Sequence, residues 1–224
     1  MILNAATPAP QGPNLWDLCV NAGFIMIPLA LLALISIYVF VERAFVIRRA
    51  SRQDPGFMHR INDAIVEGRI DDAHNICRRA DTPYARLIDK GISRIGRPMN
   101  DVLVTIENTG NIEVAALGKG LPWLATTAAG APMLGFLGTV IGMVQSFYGM
   151  ASAGSSAGIG VLADGIYQAL VTTVAGLIVG IVALFAYNYL VARINGVMRR
   201  LESATMEFMD LLNEPVKKDK TANS

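Results

Sequence analysis

Residues 162–192 read LADGIYQALVTTVAGLIVGIVALFAYNYLVA, and Asp164 is the only charged residue among them. A helix that crosses a bilayer needs about 20 mostly apolar residues, because charged side chains are costly in hydrocarbon. This stretch therefore predicts a membrane-spanning helix. The flanking sequence agrees, since no lysine or arginine occurs anywhere in residues 120–192.

That longer segment exceeds one span and divides at a small, polar stretch, ASAGSSAGIG, over residues 151–160. We expect transmembrane helices over 121–150 and 162–193, joined by a turn over 151–161. Another span is predicted over 23–46, since residues 1–42 also lack lysine and arginine. The expected fold is an all-α membrane protein with three transmembrane helices.

The basic residues predict the orientation of these spans. All 19 lysines and arginines lie in Arg43–Lys119 or Arg193–Lys220, and basic segments next to spans stay in the cytoplasm. The segments assigned to the cytoplasm are a helical region over 47–120, a helix over 194–214 and a disordered tail over 215–224. Residues 1–22 and the 151–161 turn then face the periplasm.

Neither a cleaved signal peptide nor a disulfide bond is predicted. Residues 1–22 contain no basic residue, so a cleaved signal peptide is not expected. Cys19 and Cys77 fall on opposite sides of the membrane, so no disulfide between them is expected.

Composition excludes several classes of function. A net charge of +1 does not predict the basic surface that nucleic-acid binding requires. His59 and His74 lie fifteen positions apart on different predicted helices, so no metal site is expected. The sequence contains no phosphate-binding loop and no cofactor motif, and we expect neither a cofactor nor an enzymatic activity.

The 47–120 region has the pattern of short helices, which we expect to begin near Asp54, Asp71, Thr82 and Asn100. The helix that begins near Asn100 is predicted to continue into the second span, because no residue before Pro122 firmly breaks a helix. Beyond the third span, apolar or small residues recur at three- and four-residue steps: Ile194, Val197, Leu201, Thr205, Phe208 and Leu212. This stripe predicts either an oligomeric barrel of long helices or packing within one chain.

Two stripes of small and polar residues run along the later spans. Gly135, Thr139, Gly142 and Ser146 share one face of the second span. In the third span the corresponding residues are Thr173, Gly176, Gly180 and Tyr187, with Thr172 adjacent. Such glycines, Gly138 included, allow membrane helices to pack closely, and a threonine hydroxyl can bond to its own helix. Alternatively, the two polar surfaces face a lumen at the centre of an oligomer.

The spans contain no charged residue at mid-membrane. Asp164 lies at the outer end of the third span and suits a helix N-terminus, while Glu42 adjoins Arg43 at the boundary of the first. If protons cross the membrane here, a partner chain must supply the titrating carboxylate.

Residues 131–147, APMLGFLGTVIGMVQSF, and 165–188, GIYQALVTTVAGLIVGIVALFAYN, resemble the two helix signatures of the MotA/TolQ/ExbB proton-channel family. VERAFVIRR after the first span is a weaker match. The ExbB/TolQ branch is the most similar, and three spans with a cytoplasmic insertion extend the resemblance over most of the chain.

The resemblance implies an inner-membrane energiser without cofactors. Family members form a ring, typically a homopentamer, around single-span partners of the ExbD/TolR type that carry an intramembrane aspartate. Proton flow then drives a periplasm-spanning protein, which is TonB for ExbB. Thr139 and Thr173 match the family's polar pore positions, and Thr172, Ser146 and Gln168 are further candidates. Gln168 stands where ExbB proteins often have glutamate, which places the proton-carrying role on the partner.

Three alternatives to the ExbB-like function remain. The first is a TolQ-like role in envelope maintenance. The second is a MotA-like flagellar stator, which a chain with three spans rather than four disfavours. The third is a non-conducting membrane scaffold, in which the helix-packing glycines Gly135, Gly138, Gly142, Gly176 and Gly180 serve packing alone.

Overall fold

A computed structural model describes residues 24–52, 54–153 and 159–213. Regular structure in these residues is entirely helical: α1 Met26–Ala50, α2 Phe57–Val66, α3 Ile70–Ala80, α4 Pro83–Ile92, α5 Met99–Leu117, α6 Leu121–Ala153 and α7 Ile159–Asn213. The predicted all-α class is confirmed. The predicted periplasmic segment, the disordered tail and residues 154–158 of the turn lie outside the described residues, as does Cys19.

Three helices are long and apolar enough to cross a membrane, namely α1, α6 and the part of α7 from Leu162 onward. Much of their apolar surface is exposed, including Phe136 and Phe185, whose exposed fractions are 66% and 71%. Aromatic side chains exposed on such helices suit contact with lipid chains rather than water. The prediction of three membrane-spanning helices is confirmed.

The chain forms two compact units. The span unit combines the described residues up to Val39 with Pro122–Tyr187, and the bundle unit combines Phe40–Leu121 with the residues from Asn188 onward. The long helices α1 and α7 contribute residues to both units. The third predicted span and the following helix form one uninterrupted helix, α7.

The core of the bundle unit gathers fully buried side chains from several helices. Ile61, Ile88, Ile106 and Phe208 come from α2, α4, α5 and α7 and have no exposed surface. Gly91 on α4 admits this packing, because a Cβ there would lie 2.6 Å from Phe208 Cε1 and 2.8 Å from Ile106 Cδ1. The apolar stripe of α7 is buried from Ile194 to Phe208, which confirms packing within one chain for this stripe.

The short helices begin close to their predicted starts. At α4, the Thr82 hydroxyl accepts a hydrogen bond from the Ala85 N–H at 3.2 Å, and Pro83 is the first helical residue. At α2, the Asp54 side chain does not cap the helix. Asp54 accepts instead from Gly56 N–H at 3.1 Å, and the helix begins at Phe57.

The prediction that the helix from Asn100 continues into the second span is also wrong. α5 ends at Leu117, and α6 begins at Leu121. The break occurs at Gly118-Lys119-Gly120, where Gly120 has a φ of +85°. A residue in the left-handed backbone conformation cannot continue a right-handed helix, and glycine adopts that conformation without steric cost.

Candidate functional site

Within the span unit, α6 and α7 come together backbone to backbone at Gly135 and Gly176. A Cβ on Gly135 would lie 2.9 Å from Thr172 O and 3.2 Å from Gly176 Cα. A Cβ on Gly176 would lie 2.6 Å from Ala131 O. Neither position has space for a methyl group, so the main chains themselves form this contact.

The same close contact extends along both helices. A Cβ on Gly142 would lie 2.9 Å from Ala169 Cβ, and one on Gly138 would overlap the Thr172 side chain. Toward the other end, a Cβ on Gly180 would lie 2.5 Å from Cγ of Pro132. All five glycines named from the sequence therefore lie where α6 and α7 touch.

Sequence reasoning missed one glycine in this contact. Gly165 faces Ser146, whose hydroxyl occupies the space that a Cβ on Gly165 would need. The sequence does indicate that Gly165 shares the face of α7 that contacts α6. Small residues follow one another on this face at three- and four-residue steps: Gly165, Ala169, Thr172, Gly176 and Gly180.

The hydroxyls of Thr139 and Thr173 meet beside this glycine contact and hydrogen-bond to each other. Thr173 Oγ1 also donates to Gly135 O at 3.1 Å. Thr139 Oγ1 lies 3.3 Å from both Gly135 O and Ala169 O. Each hydroxyl has a single proton to donate, so two protons are shared among two hydroxyls and two carbonyl oxygens, and the donor roles can exchange.

The predicted polar residues divide into two groups by exposure. Thr139 and Thr173 are half-buried, so part of each side chain reaches the surface of the span unit. Thr172 and Ser146 are buried, and their hydroxyls donate to Ala169 O and Gly142 O, both at 2.7 Å. Bonds of this kind satisfy a hydroxyl in hydrocarbon without any further role.

Gln168 is not part of the hydroxyl pair. Its side chain is exposed, and five positions on an α-helix correspond to a rotation of about 140° from Thr173. The structure therefore brings together Thr139, Thr172 and Thr173, and it places Gln168 on another face of α7. Ser146 lies two turns beyond Thr139 on α6.

Among the described residues, no charged side chain hydrogen-bonds to the hydroxyls of Thr139 and Thr173. Asp164 is exposed near the start of α7. In the bundle unit, Glu42 Oε1 accepts from Arg43 Nη2 at 2.6 Å, and Arg43 Nη1 donates to Ala116 O near the end of α5 at 3.4 Å. Among the residues that the structure describes, no cluster of three or more histidine, cysteine or acidic side chains could hold a metal ion. The hydroxyl pair can thus give and accept hydrogen bonds, but it cannot carry a charge.

Comparison with known proteins supplies the context for this arrangement. Residues 79–203, more than half of the chain, match the sequence profile of the MotA/TolQ/ExbB proton channel family. An ExbB homolog from Methanothermobacter thermautotrophicus is 31% identical over 176 residues, which are 77% of this chain and 62% of that protein.

Two further relatives are named ExbB and TolQ. The biopolymer transport protein ExbB of Pseudomonas putida is 26% identical over 215 residues, covering 88% of this chain and 63% of the relative. The Tol-Pal system protein TolQ of Haemophilus influenzae is 35% identical over 103 residues, covering 46% of this chain and 45% of the relative. The chain spans less than two thirds of the length of these relatives.

Proposed function

Since this chain belongs to the MotA/TolQ/ExbB proton channel family, we propose that it forms the polar wall of a proton path at Thr139 and Thr173. The observation that carries the proposal is the hydrogen bond between the hydroxyls of Thr139 and Thr173, two half-buried residues beside the contact between α6 and α7. Lipid offers such hydroxyls no partner, whereas water or a titrating side chain does.

The hydroxyl pair suits a neighbour that changes its protonation state. A hydroxyl donates to a carboxylate and accepts from a carboxylic acid, so the same pair can bind either form of an aspartate. The predicted spans contain no charged residue at mid-membrane. We therefore place the proton-carrying aspartate on an ExbD/TolR-like single-span partner, surrounded by a ring of this chain, most simply a homopentamer.

The proposed cellular role is ExbB-like. In that role the ring lies in the bacterial inner membrane, with its N-terminus in the periplasm and its C-terminus in the cytoplasm. It converts proton motive force into work on a TonB-like protein for outer-membrane import. The long alignment with ExbB supports this role, and the Lys/Arg distribution supports the orientation.

A TolQ-like role in the Tol-Pal system is the second candidate. The higher identity to TolQ over 103 residues favours it. Complementation separates the two roles: the gene with its partner gene should restore TonB-dependent uptake in a strain that lacks ExbB and ExbD. Restored detergent resistance in a strain that lacks TolQ and TolR, without restored uptake, would assign the TolQ-like role instead.

The proton path itself is tested by the double substitution Thr139→Val/Thr173→Val, which keeps the side-chain shape and removes both hydroxyls. We expect proton flux into liposomes containing the chain and its partner to fall at least tenfold, as measured with a trapped pH-sensitive dye. Thr127→Val is the matched control, because the buried Thr127 hydroxyl donates only to Trp123 O of its own helix, at 2.9 Å.

Assembly must be checked in each variant by size-exclusion chromatography with the partner. Unchanged flux in an intact Thr139→Val/Thr173→Val complex would contradict the proposed path. If flux through the wild-type complex is also no greater than through lipid alone, the non-conducting scaffold becomes the better description.

A further inference from the structure

A groove of about 400 Å³ lies between α1 and α7 in the bundle unit. Its apolar wall includes Phe40, Val41 and Phe45 on α1 and Leu190 on α7. Phe40 and Tyr189 form an aromatic pair with ring centroids 6.3 Å apart. The wall thus has the dimensions and surface to receive part of an acyl chain.

Two of the residues that line the groove are basic. Arg48 and Arg193 both line it, and the Arg193 guanidinium lies over the Tyr189 ring, 5.8 Å from its centroid. Neither arginine forms an ion pair with a carboxylate among the described residues, in contrast to Arg43, Arg49 and Arg86. The lining residues include no acidic side chain, so the groove presents two cationic groups without a counter-charge.

The groove also lies where the apolar part of each helix ends in the sequence. Phe40 and Phe45 fall in the predicted span 23–46, and Arg48 follows two residues beyond it. On α7, Arg193 is the last residue of the predicted span 162–193. Along each helix, apolar residues of the groove therefore come first and the arginine comes last. This is the order in which a bilayer changes from acyl chains to phosphate groups, and a tyrosine suits the boundary between them.

From this arrangement we propose that the groove binds an anionic phospholipid, with its phosphate on Arg48 and Arg193 and an acyl chain against Phe40, Val41 and Phe45. Guanidinium groups bind phosphate oxygens through paired, charge-assisted hydrogen bonds. Basic pockets between membrane helices bind anionic head groups by this chemistry. The proposal is independent of the proton path, because the groove belongs to the bundle unit and the hydroxyl pair to the span unit.

The test is native mass spectrometry of the full chain in mild detergent, titrated with dioleoylphosphatidylglycerol or dioleoylphosphatidylcholine. The wild-type protein should bind the anionic lipid preferentially. Arg48→Gln/Arg193→Gln should weaken its binding about 30-fold, since each basic residue near an anionic membrane surface contributes roughly 1 kcal/mol. Arg49→Gln/Arg199→Gln is the matched control, because it removes equal charge from the same helices outside the groove.

Three results would overturn the proposal: no lipid preference in the wild-type protein, equal losses in the groove and control variants, or release of phosphatidylglycerol by 10-fold excess inorganic phosphate. The last would identify a free-anion site, because phosphate lacks the acyl chain. If the glutamine variant fails to fold, Arg48→Lys/Arg193→Lys is used instead: it keeps both charges but loses the paired guanidinium bonds, so it should still prefer the anionic lipid and bind it more weakly than the wild type. Binding of phosphatidylglycerol as strong as in the wild type would contradict the proposal.

Discussion

At the scale of single residues, the glycines of the span unit determine how closely α6 and α7 approach. Gly176 has the tightest backbone surroundings of these, with Ala131 O and Gly135 Cα both within 3 Å of where its Cβ would lie. These atoms belong to the main chain, so they cannot move aside as the end of a flexible side chain could.

We therefore expect Gly176→Ala to destabilise the folded chain by about 1–3 kcal/mol through overpacking. Thermal unfolding in detergent measures the change. Gly130→Ala is the control on α6, because a Cβ there meets nothing within 4 Å, and alanine at an open helical position is neutral or stabilising. Equal unfolding midpoints for the two variants would show that α6 and α7 do not touch at Gly176.

Cys77 provides a second residue-scale prediction, outside the membrane-spanning segments. Burial, with a smaller contribution from the nearby Asp89 carboxylate, raises the pKa of this thiol from 9.0 to about 12. Only the thiolate reacts with alkylating reagents. At pH 8 the thiolate fraction of Cys77 should be about a thousandfold below that of an unperturbed thiol.

In a Cys19→Ser background, iodoacetamide should therefore label Cys77 at least a hundredfold more slowly in the folded protein than in SDS. The same shift has a consequence for stability. Because the folded pKa lies above the unfolded value, stability is unaffected below about pH 9 and decreases as the pH rises toward 12. Rapid labelling of the folded protein at pH 8 would show that the site opens readily.

At the scale of helices, the sequence predicted the spans well and the break between α5 and α6 poorly. The spans were predictable because charge is excluded from hydrocarbon, which leaves long gaps in the Lys/Arg distribution. The break was not, because glycine and lysine also occur within helices, so Gly118-Lys119-Gly120 does not by itself require a break. A positive φ is a property of the folded backbone, and glycine permits it without requiring it.

The candidate site, too, was only partly predictable from the sequence. Helical spacing predicted that Thr139 and Thr173 lie on corresponding faces of their helices, but not that Gly135 O and Ala169 O would accept from them. Those bonds depend on the rotation and separation of α6 and α7, which the buried glycine contact determines. The angular separation of Gln168 from Thr173, by contrast, follows from helical geometry alone, whereas its exposure is known only from the folded chain.

The break at Gly120 can be tested directly. Gly120→Ala places a Cβ on a residue with φ of +85°, which should cost roughly 1–2 kcal/mol and lower the unfolding midpoint. Gly118→Ala is the matched control, because Gly118 has φ of −75° and a Cβ there makes only ordinary contacts, the nearest at 3.5 Å. A Gly120→Ala variant as stable as Gly118→Ala would indicate that α5 and α6 can form one continuous helix.

At the scale of the whole molecule, the chain combines three apolar helices with a bundle unit that has its own buried core. The chain belongs to the MotA/TolQ/ExbB proton channel family, and we propose that it is a subunit of a proton-channel energiser. The hydroxyl pair is uncharged, so in the proposed mechanism the chain supplies hydrogen bonds and a partner supplies the titrating group. This division of roles predicts that Thr139 and Thr173 face water in the assembled complex.

Cysteine accessibility measures that central claim most directly. In a Cys19→Ser/Cys77→Ser background with the partner present, Thr173→Cys should react with a hydrophilic methanethiosulfonate reagent, and the modification should block proton flux. Val174→Cys is the control, because Val174 is 56% exposed on the adjoining face of α7 and should face lipid. An unreactive Thr173→Cys, or flux unchanged by its complete modification, would contradict the proposed proton path.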